Sequence, residues 1–229
     1  MRLLPQTLPA TTRAVRRLAL AAALLAGPAL SGCNLIGYIG RDRGEPKPVD
    51  VEAAYRDLDG RRVAVLVAVP PDLRYGRSRT AGSTPTRPVE LLLQAMHQAI
   101  ADGIPTAELL PRPALEVYMK DHPHWSLRPA RQVLDALGVE RLVSVDVSTF
   151  RLREPGNAEI WKGRLDGVVN VFAADAADPD ERVFSERVSV EFPRNSTFGV
   201  TNADARTIQL GLLRDFTIRG AGFFYDHKR

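Results

Sequence analysis

The stretch Asp59-Gly-Arg-Arg-Val-Ala-Val-Leu-Val-Ala-Val-Pro-Pro71 decides the fold. Apolar residues run without a break from Val63 to Val69, between the turn pair Asp59-Gly60 and the stop Pro70-Pro71. A continuous Val-rich run of this kind reads as a strand buried on both faces. Such strands belong to parallel or mixed sheets with helices on their faces. Downstream, Pro88 opens a helix at a position that tolerates its missing N–H. Val89, Leu92, Leu93, Met96 and Ile100 form one stripe along it, and Gly103 stops it. A short strand at Thr106–Leu110 and a short helix at Pro113–Lys120 follow.

Ser126 is placed to cap a further helix carrying Ala130, Val133, Leu134 and Leu137, with Gly138 beyond its end. In Arg141–Phe150, Val143, Val145 and Val147 alternate with Ser144, Asp146 and Ser148, the pattern of a half-buried strand. Two long strands come next, at Glu159–Ala173 and Arg182–Phe192. The acidic turn Asp175–Asp180 between them predicts an antiparallel hairpin. Thr201 with Asp204 suggests a capping box for a last helix that buries Ala205, Ile208, Leu212 and Phe216 and ends at Gly220. The expected class is α/β: a single domain over residues 61–229, with a mixed sheet, parallel strands plus an antiparallel hairpin, packed with helices.

Composition narrows the class of function. Hydrophobic residues make up 45% and charged residues 25% of the 229, which excludes disordered, collagen-like and polytopic membrane chains. The net charge is +4, from 31 bases and 27 acids. Residues 1–32 hold Arg2, Arg13, Arg16 and Arg17 and no acid. Removing those four arginines leaves 27 bases against 27 acids. A neutral body lacks the broad field that binds phosphate backbones, so no nucleic-acid partner is expected.

The acid-free leader is followed by the apolar run Leu18–Leu30. A permanent span needs about 20 apolar residues, so the run reads as the core of a secretory signal peptide covering residues 1–32. Its end, Leu30-Ser31-Gly32-Cys33, resembles the lipobox of bacterial lipoproteins. The resemblance implies cleavage before Cys33, diacylglycerol on its thiol (the palmitate-type modification) and acylation of the new amino terminus. Cys33 is the chain's single cysteine, which excludes an internal disulfide. Acyl chains contribute about 0.8 kcal/mol per buried methylene, enough together for durable membrane attachment. Asn34 follows where Asp would favour the inner membrane, which leans the expected address to the outer membrane, facing the periplasm. Residues 33–60, with Gly37, Gly40, Gly44, Pro46 and Pro48, read as a lipidated tether. Asn34–Gly60 reaches about 90 Å at full extension. Its last part, Val51–Leu58, has the spacing of a helical turn or two.

Three segments carry a further resemblance: "DGRRVAVLVAVPP", "PVELLLQAMHQAIADG" and "ARQVLDALGVERLVSVDVSTF", roughly residues 55–150. On a lipidated tether they resemble a broad group of bacterial envelope lipoproteins. That group includes the curli-secretion channel (CsgG-type) and penicillin-binding-protein activator (LpoB-type) families, with a fold similar to the N-terminal domain of TolB. The resemblance implies a protein that works through an envelope protein partner in an assembly, transport or cell-wall complex. Its alternative is an oligomeric secretion channel whose Glu159–Phe192 hairpin enters the membrane. Both faces of Arg182–Phe192 carry charge, with Arg187 and Glu191 on one and Glu186 on the other, which speaks against membrane entry.

No catalytic chemistry emerges. Nucleotide-binding glycine loops, His-Glu-x-x-His and Gly-x-Ser-x-Gly are missing from the sequence. His122-Pro123-His124 beside Asp121 could begin a metal site, but Pro123 forces an extended turn and no further ligand is spaced to complete tetrahedral geometry, so no metal or cofactor is expected. Asp175, Asp178 and Asp180 sit in a turn and fit no calcium-loop signature. The most suggestive surface is the loop Pro71–Arg87. It sets Arg74, Tyr75, Arg77, Arg79 and Arg87 after the carboxyl end of a buried strand, where ligands of open α/β sheets bind. It is the expected docking place for an acidic partner or an anionic glycan. The chain is expected to be no enzyme.

Overall fold

A computed structural model describes residues 49–69, 88–157, 159–194, 196 and 198–228. Strand β1 is Asp50–Val51 and β2 is Arg62–Ala68. Helix α1 spans Pro88–Gly103, β3 is Glu108–Leu109, α2 spans Arg112–Asp121 and α3 spans Ala130–Leu137. Three long strands follow: β4 (Arg141–Arg153), β5 (Trp161–Ala173) and β6 (Arg182–Phe192). Helix α4 (Ala205–Ala221) and β7 (His227–Lys228) complete the order.

Five strands form one sheet in the order β3-β2-β4-β5-β6. β2 runs parallel to β3 and β4, while β4, β5 and β6 form an antiparallel meander. The mixed α/β sheet read from the sequence is therefore the fold. The apolar run of β2 is buried from Val63 to Ala68, as a central parallel strand requires. α1 buries Leu92, Leu93, Met96 and Ile100 of the predicted stripe, with Val89 half-buried at its start. α1 and α4 pack together on one face of the sheet, where Gly220 of α4 approaches Val169 of β5 and Met96 of α1. On β5, Gly163 and Gly167 let α4 come close. A Cβ on Gly163 would stand 2.5 Å from Ile208, and one on Gly167 would stand 3.1 Å from Phe216. α3 lies on the opposite face, and Gly138, at φ 62°, supplies the left-handed turn that sends the chain from α3 into β4.

Several elements differ from the sequence reading, each for a local reason. Val51–Leu58 is no helix. Its donors are taken from elsewhere: the Ala53 N–H by Asp226 Oδ1 at 2.8 Å and the Tyr55 N–H by the Phe223 carbonyl at 3.0 Å. β1 pairs antiparallel with β7, Asp50 opposite Lys228. The ring of Tyr55 sits 5.5 Å from Phe184 and 6.3 Å from Phe224. Residues 50–58 thus pair and pack with the domain, Asp50 and Val51 against β7 and Leu58 in the core. Ser126 does not cap α3. Pro129 holds Arg128 extended (φ −83°, ψ 153°), so Trp125–Leu127 closes as a separate 3₁₀ turn and the helix starts after Pro129. Asp204 caps α4 with its own carboxylate, accepting from the Thr207 N–H at 2.8 Å, and Thr201 lies outside. α4 passes Gly220 and ends at Ala221. The first half of β4 is buried on both faces rather than one, Ser144 included, because α3 covers the side that the alternation left polar.

Candidate functional site

Register places Leu142, Ser144 and Asp146 on the face of β4 turned away from α1 and α4. Asn170 and Phe172 of β5 lie beside them on the same face. Ser185 of β6 stands opposite Asn170. These side chains form one hydrogen-bonded row across three strands. Ser144 Oγ donates to Asp146 Oδ1 at 2.9 Å, Asn170 Nδ2 donates to Asp146 Oδ2 at 2.8 Å, and Ser185 Oγ donates to Asn170 Oδ1 at 2.8 Å. Asn170 is 1% exposed and Ser144 3%, so the row holds the Asp146 carboxylate in one place.

Over this row opens a cleft of about 620 Å³. Its floor is Leu142, Ser144, Asp146 and Phe172. One wall is Trp125–Ser126 and Arg128–Ala130 with Val133, and the other is Asp180–Arg182. The break that Pro129 puts before α3 swings the Trp125 turn out to make the first wall. The second wall is fixed from the hairpin turn. Asp180 Oδ1 accepts the Arg131 N–H of α3 at 2.8 Å, and Asp178 Oδ1 accepts the Asp180 N–H at 3.0 Å. Asp180 thereby satisfies a backbone donor in the first turn of α3, in place of a local cap. Trp125 is 3% exposed, and its indole nitrogen meets no acceptor among the described residues. β2 ends at Ala68, opposite Asp146, so the cleft reaches the carboxyl end of the parallel strand pair.

A second charged cluster sits at the other end of β4. Arg141, 1% exposed, bonds Asp57 Oδ2 at 2.6 Å and Asp175 Oδ1 at 2.7 Å, and it donates to the Glu140 carbonyl at 2.8 Å. Arg61 bonds Glu140 Oε1 at 2.8 Å. Burial alone would lower the Arg141 pKa, but the Asp175 and Asp57 carboxylates outweigh it and raise the value. The Arg141 guanidinium holds the Asp175 carboxyl below its usual range. The Arg62 N–H, then Arg61, does the same for Glu140. Every charge here has a partner, and the cluster is a lock that fastens residues 57–61 to the sheet.

The site residues named from sequence fall as follows. Leu30, Ser31, Gly32 and Cys33 lie outside the described residues, as do Arg74, Tyr75, Arg77, Arg79 and Arg87. The three aspartates of the hairpin turn separate into different structural tasks: Asp175 on Arg141, Asp178 near Arg131 at 3.8 Å, and Asp180 on α3. His122 stacks on Tyr118, with ring centroids 4.5 Å apart, and its Nδ1 is 3.1 Å from the Tyr118 carbonyl. Among the described residues, no group of three or more His, Cys, Asp or Glu is placed to hold a metal. The sequence reading passed over Trp125, Arg128, Asp146 and Arg182. One signal was present: Asn170, a polar residue inside the run Val168-Val169-Asn170-Val171, marks where the sheet stops being a pure core.

No family model matches the chain, and no curated protein matches it in sequence. Solved structures align with part of the chain at low identity. The PelC dodecamer from Paraburkholderia phytofirmans aligns at TM-score 0.40 and 8% identity, over 76% of this chain and 96% of that one. Lipoprotein GNA1162 from Neisseria meningitidis aligns at TM-score 0.40 and 9% identity, over 66% and 92%. The hypothetical protein CT253 from Chlamydia trachomatis aligns at TM-score 0.41 and 13% identity, over 71% and 96%.

Proposed function

We propose that this chain is a lipid-anchored envelope lipoprotein that works by protein–protein contact and catalyses nothing itself. The observation that carries the reading is Leu30-Ser31-Gly32-Cys33 at the end of an acid-free leader and a short apolar run. In this reading Cys33 is acylated, the tether after it spans the distance from the bilayer, and the α/β domain faces the periplasm. Asn34 directs it to the outer membrane. The domain is a lipoprotein module of the broad kind that the curli-channel and penicillin-binding-protein activator families represent. Its contact surface is the cleft beside α3, together with the arginine loop Pro71–Arg87. Among the described residues, no helix is long and apolar enough to cross a membrane.

The alternative, a channel subunit of curli type, asks the β5–β6 hairpin to leave the domain. Val188 and Val190 argue against this, since both are buried on the face of the hairpin that α4 covers. The other face carries Ser185, Arg187, Ser189 and Glu191, all exposed, and no lipid-facing band.

The test is metabolic labelling of the full chain in a Gram-negative host with an alkynyl palmitate analogue, followed by membrane fractionation. The expected result is a labelled band in the outer-membrane fraction that Cys33→Ser abolishes. An unlabelled protein in the soluble fraction overturns the reading. Light scattering on the detergent-solubilised chain separates monomer from ring, and a ring revives the channel alternative.

A further inference from the structure

We propose that the cleft beside α3 receives a peptide segment of the partner protein, one that carries an apolar side chain next to a carboxylate. The inference rests on the contact reading above and names the chemistry of the partner.

The volume of about 620 Å³ lies within the range of natural ligand sites, roughly 300–1,000 Å³. The apolar part of its lining comes from Trp125, Ala130, Val133, Leu142 and Phe172, of which Phe172 is the most exposed. Elsewhere in the domain some guanidinium groups are closed on carboxylates, and others, Arg187 and Arg214 among them, are exposed on the surface away from the cleft. Arg141, Arg164 and Arg194 each hold a carboxylate, at 2.6, 2.8 and 2.5 Å. Arg128 and Arg182 line the cleft from different elements, both exposed, and neither has an ion-pair partner among the described residues. A guanidinium presents a planar fork of donors that matches a carboxylate in two parallel bonds. Two such forks over a partly apolar lining select an acidic group beside an apolar one.

Asp146, Asp180 and Glu181 decide what kind of acidic molecule fits. They make the lining mixed in sign, so a polyanion such as a phosphate chain meets repulsion along with attraction. A peptide suits a mixed lining. It brings one carboxylate for the arginines and neutral amide N–H groups for the acids. Each Asp146 oxygen already accepts one bond and keeps a second lone-pair site open. The row Ser144–Asp146–Asn170–Ser185 holds that acceptor still before anything binds, which lowers the ordering cost of association.

The experiment is selection from a random twelve-residue phage-displayed library on the full lipidated chain in detergent. Selected peptides are then titrated against a Trp161→Phe variant. The chain has two tryptophans, so this variant leaves Trp125 as the single emitter in the cleft. The expected consensus is an apolar residue adjacent to Asp or Glu, with a saturable change in Trp125 emission. Arg128→Ser with Arg182→Ser should weaken binding about tenfold or more, the size of a lost charge-assisted bond. Replacing the peptide's acid with Lys should abolish it. No enrichment, a consensus without an acid, or binding indifferent to the double variant each overturns the proposal. None of these outcomes bears on acylation of Cys33, so a failed cleft and a failed anchor are told apart.

Discussion

Arg141 and Asp146 stand on the same strand, five residues apart, and face opposite fates. Around Arg141 the charges are closed on one another: a buried guanidinium, two aspartates and a backbone carbonyl, with Arg61 and Glu140 completing the set. Around Asp146 the polar groups are ordered but not closed. The carboxylate is held by Ser144 and Asn170, while Arg128 and Arg182 at the rim hold no carboxylate among the described residues. A charge cluster whose members neutralise each other fixes the fold. A cluster with ordered acceptors and unpaired donors is available to something outside it. On the proposed reading, the difference separates stability from binding along a single strand.

The largest test of this comparison is Arg141→Met. The variant keeps the volume and removes the donors, leaving the Asp57 and Asp175 carboxylates facing each other across an apolar gap. Breaking a buried ion pair by removing one partner costs about 3–5 kcal/mol. Both aspartates are half-exposed and can rehydrate, so the expected loss lies at the low end, about 3 kcal/mol. Urea unfolding at neutral pH measures it. A loss under about 1 kcal/mol shows that the cluster is no lock.

Acid should open the same lock gradually. The Asp175 carboxyl is held below its usual value by Arg141, and Glu140 below its own by the Arg62 N–H and Arg61. Both groups have folded pKa values depressed relative to the unfolded chain. Their contribution is therefore complete above the unfolded values and is lost as pH falls through the folded ones. Stability should be flat from neutral pH down to about 5 and fall below about 4. In Arg141→Met the fall should be shallower. An identical acid profile in the two proteins would separate Asp175 from the lock.

How much of this was legible in the sequence depends on how local each cause is. The apolar run of β2, the stripe of α1 and the bounds of β6 follow from spacing within a few residues, and each formed as read. The Val51–Leu58 segment did not, because what claims its backbone is Phe223 and Asp226, about 170 residues away. Its apolar spacing fits a helix, yet the aromatic packing of Tyr55 on Phe184 and Phe224 wins. Arg141 was hidden for the same reason. An arginine at the start of an alternating strand reads as solvated, and only the arrival of Asp57 and Asp175 makes its burial tolerable. The cleft was the least legible feature. Its walls come from a 3₁₀ turn, a helix start and a hairpin turn, and Pro129, which creates one wall, was overlooked beside the more conspicuous Ser126.

Asp180→Ala probes the seam between the two regions, since Asp180 fixes one wall of the cleft by accepting the Arg131 N–H. Loss of a cap of this kind costs about 1 kcal/mol. The expected result is a modest drop in the urea midpoint together with a change in Trp125 emission. An unchanged emission would mean that the wall stands without it.

The smallest expected effect is the most informative. Arg128→Ser and Arg182→Ser remove exposed charges that hold no carboxylate, so each should shift stability by less than about 0.5 kcal/mol, the usual scatter for surface substitutions. Here a near-zero result carries meaning, because Arg141→Met removes the same kind of side chain and costs several times more. If either cleft arginine proves as costly as Arg141, it has a structural partner and the region is a second lock. If both are neutral to folding while the double variant loses the selected peptides, the guanidinium groups at the cleft serve binding. Natural surfaces do carry idle arginines. What distinguishes these two is that they flank a fixed acceptor at the carboxyl end of a parallel strand pair, where an α/β sheet offers its ligands a crevice.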